Sequence, residues 1–208
     1  MNFGFLLFPD AEELDLAGPW EIVNVWRKYA GGPERCLTVS QAGGEVRFNK
    51  GMRLVADHSF EDCPRLDCLL VPGGQGTRRE VGNAELLEFV RRQAASCRHV
   101  LSVCTGSFIL EAAGLLSGKT ATTHWGSLDR LREFSEVRVT EERFTRDGNV
   151  WTAAGVSAGI DLALAFIADQ AGEEVAGQVQ LYAEYYPNGK RYGRAHLDPK
   201  APAYLRTS

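Results

Sequence analysis

Short apolar segments that end at turn-forming residues recur along this chain and limit the folds that it can adopt. Three of them span residues 3–8, 68–71 and 100–103, and the first two stop at Pro9 and at the 72–74 turn (PGG). Runs of this length without polar alternation are typical of strands that are buried on both faces. Segments with helical periodicity follow them, so we predict an α/β fold in which helices sandwich a mostly parallel sheet.

The rest of the pattern places further elements around that sheet. A helix is predicted from Pro19 onward, with Pro19 near its first turn, and small β-hairpin additions are predicted around Gly51 and Gly148. The other predicted helices are 84–95, 107–116, 160–171 and 175–186, and the other predicted strands are 36–42 and 120–123. We interpret residues 1–186 as a single domain and residues 187–208 as an irregular C-terminal tail.

Composition and charge exclude several classes of function. The 208 residues fit one α/β domain, and 23 basic against 27 acidic residues give a net charge of −4, which makes no electrostatic case for a nucleic-acid partner. No apolar stretch approaches the roughly 20 residues of a membrane span, and the first residues resemble a strand more than a secretion signal. Five cysteines without a disulfide framework predict reduced thiols and a cytoplasmic location. No spacing is typical of a metal site, and we expect neither a metal nor another cofactor.

Cys104 is the strongest candidate for a reactive residue. A predicted buried strand ends at Val103, a helix begins within a few residues, and Gly106 leaves room for a tight turn. A residue in such a turn is lifted clear of the sheet, and the amino end of the helix favours a thiolate and lowers the pKa of the thiol. The pattern therefore predicts a nucleophile elbow. The alternative is a small buried core residue, the common role of a free cysteine.

Other candidate residues follow the carboxyl ends of neighbouring predicted strands, where ligands bind on parallel sheets. Asp15 lies just before the first predicted helix, either as a helix-start residue that accepts backbone amides or as an acid whose pKa is raised by burial. Gly73 and Gly74 form an ordinary tight turn or offer amides to developing negative charge. His124 either pairs with the thiolate or has a structural role.

Five short motifs occur in order along the chain: 14–19 (LDLAGP), 71–74 (VPGG), 102–107 (SVCTGS), 121–125 (ATTHW) and 158–161 (AGID). This set resembles the ThiJ/PfpI superfamily, whose class I glutamine amidotransferase-like fold is flavodoxin-like. Together, LDLAGP and CTG look like its isonitrile hydratase branch, a likeness shared with sensor domains fused to AraC-type regulators. The resemblance implies that Cys104 is the nucleophile, Asp15 its acidic partner and Thr105 a neighbour of the site. It also implies that amides near Gly73 and Gly74 help to hold a small-molecule substrate, and that the protein is a homodimer.

The resulting hypothesis is hydration of isocyanides to N-substituted formamides through a covalent thioimidate on Cys104. One departure from the hydratase pattern is Ala153 and Ala154, where hydratases tend to carry glycines, and it bears on the identity of the substrate.

Two alternatives stay open. A glyoxalase- or deglycase-like enzyme acting on reactive carbonyls usually carries a glutamate in the acid position and a histidine beside the cysteine. A non-catalytic stress sensor would use Cys104 for redox sensing. An AraC-type regulator needs a C-terminal DNA-binding domain, which the residues after 171 are too few to form. We interpret the basic tail residues as a solvated or dimer-contacting arm; they are Lys190, Arg191, Arg194 and Arg206.

Overall fold

The computed structural model describes residues 1–187, 194, 198–199, 201–202 and 204. Most of the predicted tail, with Lys190, Arg191 and Arg206, lies outside the described residues. No helix in the described part of the chain is both long and apolar enough to cross a membrane.

A six-stranded sheet forms the centre of the structure and confirms the predicted α/β architecture. In chain order, the strands are β1 (Asn2–Leu6), β2 (Arg35–Val39), β3 (Gly44–Arg47), β4 (Arg53–Ala56), β5 (Cys68–Val71), β6 (His99–Val103), β7 (Thr120–Ala121), β8 (Arg138–Val139), β9 (Phe144–Asp147) and β10 (Val150–Ala153). The order across the sheet is β2-β1-β5-β6-β10-β9, and β9 alone runs antiparallel to its neighbour. The β3–β4 hairpin and a short β7–β8 pair lie outside this sheet.

Helices flank the sheet and bury it. They are α1 (Glu13–Tyr29), α2 (Thr77–Glu80), α3 (Ala84–Ala94), α4 (Gly106–Ala112), α5 (Leu128–Arg132), α6 (Ala158–Ala171) and α7 (Glu173–Tyr182). Helices α1, α6 and α7 pack against one another, and Phe166 of α6 meets the ring of Phe3 edge-on at 5.8 Å. Phe3 and Phe166 are fully buried, and each such side chain stabilises the fold by roughly 1.5–3 kcal/mol.

The start of α1 differs from the prediction. The helix begins at Glu13, so Asp15 lies in its first turn rather than before it, and Pro19 lies inside the helix rather than near its start. Proline lacks the N–H that would bond to the carbonyl four residues earlier, here that of Asp15, which is why it looks like a helix start in the sequence. The helix persists because its buried face, which includes Leu16, Ile22 and Trp26, packs on the core.

Topology determines where a site can form. Because β1, β5 and β6 are parallel neighbours, the segments that follow them meet at one edge of the sheet. These segments carry Asp15, Gly73 and Cys104, so three motifs that are far apart in the sequence come together at the carboxyl ends of the strands.

Candidate active site

Cys104 occupies the turn between β6 and α4 in a strained conformation. Its φ is 56°, a left-handed value that costs a residue with a side chain of order 1–3 kcal/mol. Its amide donates to the carbonyls of Ala153 and Ala154 at 3.0 and 2.9 Å, and its own carbonyl accepts from the Thr123 hydroxyl at 2.9 Å. A Cβ on Gly106 would lie 2.3 Å from the Val71 carbonyl oxygen, so only glycine allows the chain to turn here. The strand–turn–helix geometry of an elbow is therefore present.

Asp15 is completely buried beside this turn. Its Oδ2 accepts from the Gly73 amide at 3.0 Å, while its Oδ1 is buried with no hydrogen-bond partner among the described residues. Burial raises the pKa of Asp15 from 3.8 to about 8, and the nearby charge of Glu12 acts in the same direction. At neutral pH the carboxyl is therefore mostly protonated, so it is an uncharged acid beside the Cys104 turn.

The Cys104 thiol does not have the lowered pKa that the sequence predicted. Burial raises its pKa, and the charge of Asp15 adds to the effect. Hydrogen bonds from the amide and hydroxyl of Thr105 act in the opposite direction and are outweighed. The amino end of the seven-residue helix α4 favours the thiolate, but the desolvation of Cys104, which is 6% exposed, has the larger effect on its pKa.

Gly73 and Gly74 are placed differently from the predicted substrate-binding turn. The Gly73 amide is already bonded to Asp15, and the Gly74 amide donates to Thr105 Oγ1 at 2.9 Å. Neither amide is free to stabilise negative charge on a ligand; instead they fix the acid and the threonine. A Cβ on Gly73 would lie 2.5 Å from the Thr105 nitrogen and 2.8 Å from Asp15 Oδ2, so the absence of a side chain lets these groups converge.

His124 lies next to Gly155, which also adjoins the Cys104 sulfur. Its Nδ1 accepts from the Gly126 amide at 3.2 Å, which leaves the ring proton on Nε2, and burial lowers its pKa. A Cβ on Gly155 would lie 2.4 Å from His124 Cδ2 and 3.1 Å from Cys104 Sγ. A side chain at position 155 would collide with the imidazole and crowd the sulfur, so glycine is needed between His124 and Cys104.

A cleft of about 290 Å³ opens over these groups. Its lining includes the predicted site residues Gly74, Cys104, Thr105 and His124, and Gln75 and Arg78 line its solvent-exposed part. Asp15 lies behind this lining. The structure therefore brings together the six predicted site residues in one place, with a concave surface large enough for a small molecule.

Comparison with known proteins identifies the family of this chain. The model of the DJ-1/PfpI family matches residues 2–169. The chain belongs to the DJ-1/PfpI family.

Individual relatives within the DJ-1/PfpI family differ in what they do. Isonitrile hydratase from Pseudomonas putida is 43% identical over 196 residues, covering 90% of this chain and 79% of that protein. The HTH-type transcriptional regulator GbdR from Pseudomonas aeruginosa is 32% identical over 86% of this chain, which spans 49% of the regulator's length. Among solved structures, a ThiJ/PfpI family protein from Pseudomonas syringae has a TM-score of 0.85 at 34% identity, covering 99% of this chain and 82% of that chain. The family and the fold are thus shown, whereas the relatives include both an enzyme and a regulator.

Sequence reasoning missed two contributors to this DJ-1/PfpI site. Gly155 touches both Cys104 and His124, and the only signal was a glycine between Ala154 and Val156 after a strand. The tip of the β3–β4 hairpin also reaches the site, because Lys50 pairs with Glu12 and Asn49 lines the cleft. The hairpin was predicted as a local addition, and nothing in its sequence indicates what its tip contacts.

The other thiols of the DJ-1/PfpI domain lie apart from the cleft. All five cysteines are free, and burial raises the pKa of Cys36, Cys63 and Cys97 to about 12, 11 and 12.

Across the residues that the structure describes, no group of three or more His, Cys, Asp or Glu side chains is arranged to hold a metal ion.

Proposed function

We propose that this DJ-1/PfpI protein hydrates isocyanides to N-substituted formamides, with Cys104 as nucleophile and Asp15 as its proton donor. The observation that carries the proposal is the pairing of a buried carboxyl, its pKa raised to about 8, with a thiol in a strained strand-to-helix turn. The 43% identity to an isonitrile hydratase over most of both chains supports this choice of substrate class.

The first step joins the sulfur to the terminal carbon of the isocyanide. Sγ of Cys104 forms the new bond, and the carbon, which gains electron density, takes a proton from Asp15. The carboxyl takes up the thiol proton through its other oxygen, so the product is a neutral thioimidate, R–N=CH–S–Cys104. No net charge enters the buried pocket, because the carboxyl only relays a proton.

Water completes the reaction. The carboxyl of Asp15 passes one water proton to the nitrogen while the hydroxyl adds to the carbon, giving R–NH–CH(OH)–S–Cys104. The C–S bond then breaks as the hydroxyl proton moves through Asp15 to the sulfur. The formamide R–NH–CHO leaves, and the thiol and the protonated carboxyl are restored.

The test is to incubate the purified protein with an aromatic isocyanide and to follow formation of the formamide. We expect Cys104→Ala to abolish turnover and Asp15→Asn to reduce it by about 10²–10⁴-fold, the usual contribution of general acid–base catalysis. Cys36→Ala is the matched control, since that cysteine is also free but lies outside the cleft lining. Full activity of Cys104→Ala overturns the proposal.

A second candidate function is glyoxalase-like chemistry on reactive carbonyls. The observation that favours it is the neutral His124 ring across Gly155 from the Cys104 sulfur, since such enzymes pair a histidine with the cysteine. Turnover of methylglyoxal that is lost in His124→Gln, without turnover of any isocyanide, would support this candidate in place of hydration.

A further inference from the structure

The exposed part of the cleft carries a guanidinium that has no acidic partner among the described residues. Arg78 lines the cleft, and its one described side-chain hydrogen bond goes to Oε1 of Gln75, a neutral amide. The adjacent Arg79 differs, because it pairs with Asp10 at 3.4 Å and with Glu80 at 2.8 Å. The charge of Arg79 is therefore compensated within the protein, and that of Arg78 is not.

The carboxylate among the cleft-lining residues does not compensate Arg78. Glu12 pairs with Lys50 and accepts from the Asn49 side-chain amide at 3.4 Å. Asp15, which lies behind the lining, has its pKa raised to about 8 and is mostly uncharged at neutral pH. Among the described residues that line the cleft, Arg78 alone carries a positive charge.

Gln75 adds to this positive potential. Because its Oε1 accepts from Arg78, its Nε2 amide is left as a donor beside the guanidinium. A planar guanidinium next to an amide N–H₂ suits a planar group with two acceptor oxygens, and a carboxylate has this shape.

We propose that Arg78 and Gln75 bind a carboxylate on the substrate, so that the preferred substrates are isocyanides that also carry a carboxylate. The inference rests on the proposed hydration and names the class of its substrate. The carboxylate lies at the exposed part of the cleft while the isocyanide carbon reaches Cys104. Arg78 is a specificity residue with no part in the bond-forming steps.

Kinetics with paired substrates test this role. The substrates are 3- and 4-isocyanobenzoate and their methyl esters, which differ in the negative charge. We expect Arg78→Gln to lower kcat/KM for the carboxylates by about tenfold, mostly through a higher KM. This change corresponds to the loss of one solvent-exposed charge-assisted hydrogen bond. Turnover of the esters is expected to fall much less than that of the acids. We expect Arg78→Lys to restore part of the preference for the acids, and added salt to weaken that preference in the wild type.

Arg98→Gln is the matched control, because this exposed arginine precedes β6 at the end opposite Cys104. Equal effects of Arg78→Gln on acids and esters, or no effect on either, overturn the inference while leaving the hydration proposal intact.

A binding measurement separates the inference from the reaction. Calorimetry with 4-formamidobenzoate and with its methyl ester needs no turnover. If the wild type hydrates no isocyanide, the proposed function fails, and about tenfold weaker binding of the acid to Arg78→Gln still supports the carboxylate site. Equal binding of acid and ester to the wild type, or no binding of the acid, overturns it.

Discussion

Protonation of Asp15 has a consequence for stability that can be measured without any substrate. The folded state holds this carboxyl with a pKa of about 8, whereas in the unfolded chain it ionises near 3.8. Between these values the native state keeps a proton that the unfolded state has lost. Since stability rises with pH only where the unfolded state binds more protons, this group makes stability fall as pH rises from about 4 to 8.

The magnitude follows from linkage. One proton difference changes the free energy of unfolding by about 1.4 kcal/mol per pH unit, so the Asp15 contribution falls by roughly 4 kcal/mol between pH 5 and pH 8. Asp15→Asn keeps the shape and still offers an oxygen to the Gly73 amide but has no proton to lose. We expect the variant to gain stability relative to the wild type by this amount over this pH range.

Urea unfolding with a thiol reductant, followed by tryptophan fluorescence at several pH values, gives the difference. Comparing variant and wild type at each pH cancels the titration of other groups, such as His99 and His124, whose pKa values are lowered by burial. Asp129→Asn is the control, since it replaces a carboxylate that is 91% exposed and lies outside the cleft lining. A difference between Asp15→Asn and wild type that is constant from about pH 5 to 8 would mean that Asp15 is ionised in the fold, and would refute its role as proton donor.

Three further substitutions test how the site is held. Gly73→Ala, whose new Cβ would approach the Thr105 nitrogen to 2.5 Å, should cost about 1–3 kcal/mol by urea unfolding and most of the turnover, whereas Gly82→Ala, with no contact under 3.6 Å, should cost neither. Thr105→Val leaves the Gly74 amide without its acceptor and should cost about 1–3 kcal/mol in the same assay, with Thr105→Ser restoring stability. Arg143→Gln removes charge-assisted bonds to Asp161 and Ser157 at 2.7 and 3.0 Å, and we expect a lower Tm and a lower kcat, because Ser157 follows closely on Ala154, whose carbonyl accepts from the Cys104 amide. Unchanged urea unfolding of Gly73→Ala or Thr105→Val, or an unchanged Tm of Arg143→Gln, contradicts the contact on which that prediction rests.

Local signals made much of the fold predictable. The apolar runs at β1, β5 and β6 indicate buried strands because they lack the polar alternation of a half-exposed strand, and the strand–glycine–helix pattern locates the Cys104 turn. The predicted start of α1 was wrong. Pro19 gives a strong local signal for a helix start, whereas the packing that stabilises the preceding turn comes from residues distant in the sequence.

The functions of the Gly73 and Gly74 amides could not be inferred from the sequence. Their acceptors, Asp15 and Thr105, are 58 and 31 residues away, and a glycine pair at a strand end does not reveal which acceptors will reach it. The pKa of Cys104 was misjudged for a related reason, since desolvation depends on the whole surrounding fold and the helix terminus is a local feature.

Burial of the Asp15–Cys104 pair links the stability of the fold to the class of chemistry that it favours. Burial of two charged groups here would cost free energy. The raised pKa values instead keep the carboxyl and the thiol protonated and uncharged. Such a pair suits the addition of a nucleophile and a proton to an uncharged, polarised carbon, because each step can transfer protons without bringing net charge into the pocket. An isocyanide carbon meets this requirement. A charged group that recognises a substrate is better placed at the exposed part of the cleft. Arg78 is exposed there, so its desolvation on contact with an anion costs less free energy than that of a buried charge.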